Sequence, residues 1–190
     1  METNLFQTVY QHPLLRREDY AAIARIHTRI EWASGTLLLE KGKTAKSFFV
    51  IEKGLFRSVL YDHQGKEITT EFYCPGEIVI ESFSLFQRIP SKESFQALSD
   101  SIAWKIEYEA FQELLDELEG LREWGRIWAS QQLFVSKQRS LDRFTVSATD
   151  RYLNLMKERP QIIQYSPLKY IASYLGITDT SLSRIRHFLS

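Results

Sequence analysis

Between Thr178 and Arg186 the chain reads TDTSLSRIR. On a helix capped by Thr178, the residues Leu182, Ile185 and Leu189 recur at three- and four-residue spacing and take the inner face. Asp179 falls in the first turn, where the helix dipole favours an acid. Ser183, Arg184 and Arg186 are left facing outward, with Thr180 and Ser181 near the helix start. A guanidinium fork matches the paired acceptors of a guanine edge, and hydroxyls fit phosphates or base edges. A preceding segment, PLKYIASYLG, reads as a helix that opens at Pro167 and stops at Gly176. Helix, short glycine turn, helix is the geometry that lays a second helix into a DNA major groove. The expected contacts are Lys169, Thr178, Thr180, Ser181, Ser183, Arg184 and Arg186. Arg184 is placed to read a base, and Lys169 and Arg186 to hold phosphates. Any exposed helix can carry Ser, Thr and Arg, so the reading depends on what surrounds it.

Other chemistries have little support. Cys74 is the only cysteine, which excludes an internal disulfide, a zinc cluster or an iron–sulfur site. It reads as a buried residue at a strand end. His12, His27, His63 and His187 are scattered along the chain and read as surface residues rather than metal or haem ligands. No Ser-His-Asp set, carboxylate pair or glycine-rich phosphate loop stands out, so no catalytic residue, metal or cofactor is expected and the chain does not read as an enzyme.

The 190 residues carry 24 Lys+Arg and 24 Asp+Glu, a net charge of zero. The distribution is uneven. Residues 1–136 hold 15 basic and 20 acidic side chains, giving −5; residues 137–190 hold 9 and 4, giving +5. A basic tail on an acidic body is a polyanion-binding pattern. No apolar run is long enough to cross a membrane and the start of the chain lacks a signal-peptide pattern, so a cytoplasmic protein is expected.

The elements that must position these residues follow from periodicity. Leu14, Leu15, Tyr20, Ile23, Ile26 and Ile30 predict an amphipathic helix over 14–30. From Trp32 to Ile106 the texture becomes short runs rich in Val, Ile, Phe and Thr: TLLLE, SFFVIEKG, LFRSVLYD, KEITTEFY, EIVIESF, ESFQALSD and SIAWKIE. Turn residues separate them, and DHQGK (62–66) predicts a hairpin. This spacing belongs to an antiparallel barrel or sandwich. Helical period returns at Phe111–Leu118, with Gly120 read as a break. A long apolar stripe follows, from Leu121 to Leu141. Trp124, Ile127, Trp128, Gln131 and Val135 on that stripe are the expected surface for a second copy of the chain. Thr149 is the expected N-cap of a helix that Pro160 ends, and QIIQY (161–165) reads as a short strand.

With these elements in order, the chain resembles the Crp/Fnr family of bacterial transcription regulators, in its Bacteroidetes-type branch. The resemblance covers nearly all 190 residues. It is carried by Gly35, Gly42, Phe49, Gly54 and Arg57 within GTLLLEKGKTAKSFFVIEKGLFR, and by PLKYIASYLGITDTSLSRIR. It implies an α+β fold: an antiparallel, jelly-roll-like β-roll sensor domain with flanking helices over 1–118, a long dimerisation helix over 119–145, and a (winged) helix-turn-helix domain over 146–190. It implies homodimers that bind double-stranded DNA, with RNA polymerase as a further partner and no membrane association. Any wing must come from a hairpin over 157–167. Thr180 stands where the family often carries a base-reading Glu.

The resemblance also marks an effector pocket at Gly76, Ile80, Glu81, Ser82, Glu93, Ser94 and Ser136. Glu81 matches the family's ribose-binding Glu. Ile80 replaces a Gly, however, and Glu93 stands where an Arg neutralises the phosphate, with Arg88 and Lys92 nearby but out of register. A carboxylate there repels a phosphate, which argues against cyclic AMP. Two readings stay open: an unknown small-molecule effector, or a pocket filled by Phe83, Phe86 or Phe95. An alternative function also stays open, a ligand-binding or protein-interaction module with a degenerate helix-turn-helix.

Overall fold

A computed structural model describes residues 2–189. Helices α1 (Glu2–Val9) and α2 (Asp19–Arg25) precede eight strands. These are β1 (His27–Trp32), β2 (Leu37–Leu39), β3 (Ser47–Lys53), β4 (Phe56–Tyr61), β5 (Glu67–Tyr73), β6 (Ile78–Val79), β7 (Ser94–Ala97) and β8 (Ser101–Glu107). A single turn of helix, α3 (Ser82–Gln87), interrupts them after β6. Helices α4 (Tyr108–Glu117), α5 (Glu119–Thr145), α6 (Ala148–Glu158), α7 (Pro160–Tyr165), α8 (Leu168–Tyr174) and α9 (Asp179–Leu189) complete the order.

The strands form two four-stranded antiparallel sheets, β1-β8-β3-β6 and β2-β7-β4-β5. Their inner faces enclose Phe49, Ile51, Phe56, Val79, Phe95, Ala97 and Ala103. This is the expected β-roll. One turn shows why glycine is required: at Gly54 φ is +101°, and an added Cβ would lie 1.9 Å from the Ser101 hydroxyl. The Asp62–Lys66 hairpin closes as the sequence predicts, with the Asp62 carboxylate accepting from the Gln64 and Lys66 amides.

Several boundaries differ from the sequence reading. The predicted helix over 14–30 is only α2; from His27 the chain is strand, paired with β8 from His27↔Ile106 to Trp32↔Ser101. Thr28, Ile30 and Trp32 fit a pleated surface as well as a helix, and the available sheet edge decides. The run 77–83 is strand only at β6, because the Glu81 side chain caps α3 by accepting from the Ser84 amide. QIIQY is helix α7 rather than strand: Pro160 occupies its first turn and Ile162 is wholly buried in the C-terminal core. The expected 157–167 hairpin is therefore absent. Among the described residues no strand follows β8, so none of them forms a wing. Ser147, not Thr149, caps α6, accepting from the Asp150 amide at 3.1 Å.

The break between α4 and α5 falls at Leu118, which is extended (φ −110°, ψ 103°). Gly120 lies inside α5, where an added Cβ would meet the Leu14 backbone at 2.8 Å. It is a close-approach glycine, not a helix breaker. Above it, Phe6, Tyr10, Ile23, Trp104, Ile106, Phe111, Leu121 and Trp124 form one aromatic-rich cluster joining α1, α2, β8, α4 and the start of α5. His27 is buried within it. Its Nδ1 donates to the Ile23 carbonyl at 2.6 Å, so the neutral ring's Nε2 accepts from the Tyr10 hydroxyl at 2.9 Å. Burial pushes its pKa down to about 4, against the opposing pull of the Ile23 carbonyl.

Candidate nucleic-acid interface and interior pocket

Helices α8 and α9 join through a turn over 175–178. Gly176 turns left-handed (φ +69°), and the Ile177 amide donates back to the Ala172 carbonyl at 3.0 Å, tying off α8. Thr178 caps α9: its Oγ1 accepts from the Ser181 amide at 3.1 Å and pairs with the Ser181 hydroxyl at 2.8 Å. Thr178 and Ser181 are thus engaged with each other. Thr180, Ser183, Arg184 and Arg186 are exposed, while Leu182 is fully buried and Ile185 partly so. Leu189, expected on the inner face, is exposed, as is Phe188 beside it. Lys169 is exposed on α8 with its ammonium 4.9 Å from the Tyr170 ring centre.

Only some of the expected pocket residues come together: Glu81 lines a cavity of the roll and acts on Glu93 as a like charge. Gly76 is an exposed turn residue whose amide donates to the Ile51 carbonyl at 2.9 Å. Ile80 packs against the aromatic-rich cluster. The Glu81 carboxylate is engaged as the α3 cap, and Ser82 is exposed in its first turn. Ser94 is buried and accepts from the Lys41 amide at 2.9 Å. Ser136 is exposed on α5. Glu93 is half-buried and faces the Ser58 and Thr70 hydroxyls. Burial pushes its carboxyl pKa up, the two hydroxyls oppose this, and Glu81 adds a like charge. Arg88 does not approach it; its guanidinium pairs with Glu109 at 2.6 Å over the Tyr108 ring. Lys92 is exposed.

A half-open cavity of about 200 Å³ lies in the roll, between Leu38, Leu39, Phe49, Val79, Glu81 and Phe95, with Lys46 as its cationic lining residue. This is below the roughly 300–1,000 Å³ of common small-molecule sites. Phe95 helps to fill the roll as one reading expected. Phe83 and Phe86 do not, being 72% and 52% exposed.

The stripe on α5 divides. Trp124, expected at an interface between copies, is buried within its own protomer. Its indole donates to the Val9 carbonyl at 2.9 Å, and its ring meets those of Tyr10 and Phe111. Trp128 is half-buried, stacked on Trp124. Ile127, Gln131 and Val135 are exposed, and beyond them Leu133, Phe134 and Phe144 are 75%, 69% and 87% exposed.

Sequence reasoning missed how the C-terminal helices meet the roll. Leu55, Phe72 and Cys74 share one core with Tyr152, Leu155, Ile162, Ile171, Ala172, Leu175 and Leu182. Arg57, 1% exposed, donates to Gln96, Thr69 and Glu67, and the Tyr170 ring covers it at 3.4 Å. Arg159 pairs with Glu71 at 3.2 Å and Glu77 at 2.5 Å and donates to the Phe72 carbonyl at 2.8 Å; Arg139 also pairs with Glu71. Burial raises the Glu77 pKa, with Arg159 opposing. The signal available in the sequence lay in Thr69, Glu71 and Phe72 of β5, which meet Ser173, Arg139 and Arg159, and Tyr174, but charged residues read as surface.

Known proteins share this fold. Residues 29–117 match the family model of the cyclic nucleotide-binding domain. The chain is 26% identical over 167 residues to the Fumarate and nitrate reduction regulatory protein of Salmonella typhi, covering 80% of this chain and 64% of that protein's length. In fold it resembles FixK2 from Bradyrhizobium japonicum (TM-score 0.72, 16% identity, 86% of this chain and 84% of that one). It also resembles the Catabolite Activator Protein of Thermus thermophilus (TM-score 0.60, 18% identity, 95% and 86%). Together these show the fold: a cyclic nucleotide-binding-type β-roll followed by helices, in a chain that spans 64% of the length of the Salmonella typhi relative.

Proposed function

We propose that this protein is a homodimeric, DNA-binding transcriptional regulator of the Crp/Fnr type, cytoplasmic and without catalytic activity or a resident cofactor, whose pocket does not take cyclic AMP. The observation that carries the reading is α9. Leu182 anchors it, and Thr180, Ser183, Arg184 and Arg186 face solvent over its first two turns. The +5 charge of residues 137–190 supplies attraction to phosphates. The exposed Leu133, Phe134, Val135 and Leu141 of α5 are an apolar face suited to a second copy of the same helix. A two-fold dimer then presents two recognition helices about one DNA turn, ~34 Å, apart. Against cyclic AMP stand Glu93 in place of a phosphate-binding cation, Glu81 engaged as a helix cap, and the small cavity.

Selection from a random DNA library tests this directly. The wild-type protein is expected to enrich a palindromic site. Arg184→Ala should cost roughly 1–3 kcal/mol per half-site and relax preference at one base pair. Lys169→Ala should weaken all sequences alike and lower the salt slope by about one. Phe134→Glu should give monomers by light scattering. Absence of any enriched sequence favours the interaction-module reading, and a micromolar Kd for cyclic AMP by calorimetry overturns the ligand statement.

A further inference from the structure

Ser84, fully buried on α3, fixes the backbone positions of two charged residues that line the cavity in the roll. Its amide donates to the Glu81 carboxylate, which caps α3. Its hydroxyl accepts from the Ala45 amide at 2.7 Å and donates to the Ile89 carbonyl at 2.6 Å. Lys46, next to Ala45, is held again from the other side: its carbonyl accepts from the Tyr108 amide at 2.9 Å. The backbone that carries Glu81 and Lys46 is therefore set before anything enters the cavity.

Both charges keep unused binding capacity. The α3 cap takes Oε2 of Glu81, and Oε1 has no hydrogen-bond partner among the described residues. Among the described residues neither Glu81 nor Lys46 forms an ion pair, although both line one cavity of about 200 Å³. Glu93 adds a like charge beside Glu81, so that side of the cavity favours a cation. Thr44 and Ser47, flanking Ala45 and Lys46, complete the polar lining. The other walls, chiefly Leu38, Leu39, Phe49, Val79 and Phe95, are aliphatic or aromatic. They offer no donor or acceptor to a polar group.

We propose that this cavity binds a small apolar α-amino acid as its zwitterion: the ammonium on Glu81, the carboxylate on Lys46, and an aliphatic or phenyl side chain among Leu38, Phe49, Val79 and Phe95. The site belongs to the roll read above as a sensor that does not take cyclic AMP, and rests on that reading. Glu81 and Lys46 sum to zero charge, and so does the ligand, so each charge gains a partner and no unpaired charge is added. An α-amino acid carries its two charges on one carbon, which suits an anion and a cation on the wall of one small cavity. A phosphodiester brings a negative charge that Glu81 and Glu93 oppose, and the cavity is smaller than the sites that hold larger ligands.

Calorimetry on the full chain tests each contact. L-Leucine or L-phenylalanine is expected to bind, and glycine, which has no side chain for the apolar walls, is not. Isocaproate lacks the ammonium of leucine and isoamylamine lacks its carboxylate; each should bind at least about tenfold more weakly than L-leucine. Variants then show which residue meets which charge. Lys46→Met should weaken L-leucine about tenfold and leave isoamylamine unchanged. Glu81→Gln, which keeps an oxygen for the α3 cap, should weaken L-leucine by a similar factor without weakening isocaproate. Should Glu81→Gln fail to fold, Lys46→Met, on an exposed segment, decides on the same readout. Isocaproate binding as tightly as L-leucine, L-leucine affinity unchanged in Lys46→Met, or no binding of either amino acid at two temperatures overturns the site. Binding is read without DNA, so the two readings fail separately. Amino-acid binding by a protein that enriches no DNA sequence keeps the site and removes the regulator, and DNA enrichment without amino-acid binding does the reverse.

Discussion

The β-roll is covered on two sides by helices, and the two coverings are built from different materials. On the N-terminal side, Phe6, Tyr10, Trp104, Phe111 and Trp124 interlock edge to face, with ring centres 4.6 to 6.4 Å apart in the pairs Tyr10–Trp124, Phe6–Trp104 and Phe111–Trp124. On the C-terminal side, charged and hydroxyl groups face one another across a smaller apolar contribution from the roll. Aromatic packing gains from burial and loses its contacts outright when opened. Ion pairs exchange one set of partners for water. The first junction makes the fold, and the second positions one part of it on another.

Three substitutions or conditions break this comparison in decreasing order of effect. Trp124→Ala removes a ring and an indole hydrogen bond from the aromatic junction and should cost about 3–5 kcal/mol of global stability by urea unfolding. A loss of less than about 1 kcal/mol would make α1 and α5 a surface addition rather than part of the core. Acid acts next. His27 is neutral when folded, with a pKa lowered to about 4 from 6.5, so the unfolded chain binds its proton first. Its contribution of roughly 3 kcal/mol is present above pH 6.5 and is lost as pH falls toward 4. Glu77 and Glu93 act with the opposite sign. Their raised pKa values mean that the folded chain takes up protons first, so stability from these groups rises as pH falls through their folded pKa. Unfolding free energy followed from pH 7 to 4 should therefore fall less steeply in His27→Gln and more steeply in Glu93→Gln. Tyr170→Ala is expected to have the smallest effect, roughly 1–2 kcal/mol from the lost stacking on Arg57, confined to the C-terminal helices. A global loss on the scale of Trp124→Ala would erase the distinction between the two junctions.

The roll and the final helix pair were legible because their signals are local. Positive-φ glycines, the Asp62 hairpin and the Thr178 cap depend on neighbours within a few residues. The misread positions were settled by distant partners. Ile26 and Ile30 satisfy a helical period, yet β8 recruits His27–Trp32 as a strand. Trp124 looked like an interface anchor because nothing local announces Val9 and Tyr10 as its neighbours. The pocket fared worst: Glu81 and Glu93 sit as the resemblance placed them in sequence, but their partners are an α3 amide and two hydroxyls, which spacing alone does not reveal.

Gly120 leaves α5 with no room to shift at its base, because its missing side chain is where the Leu14 backbone passes. Helix α5 therefore behaves as a lever with its fulcrum at the N-terminal end. From Trp124 to Thr145 the arm is about 30 Å, so a tilt of about 5° at the fulcrum carries the far end through roughly 3 Å, about the spacing of successive base pairs.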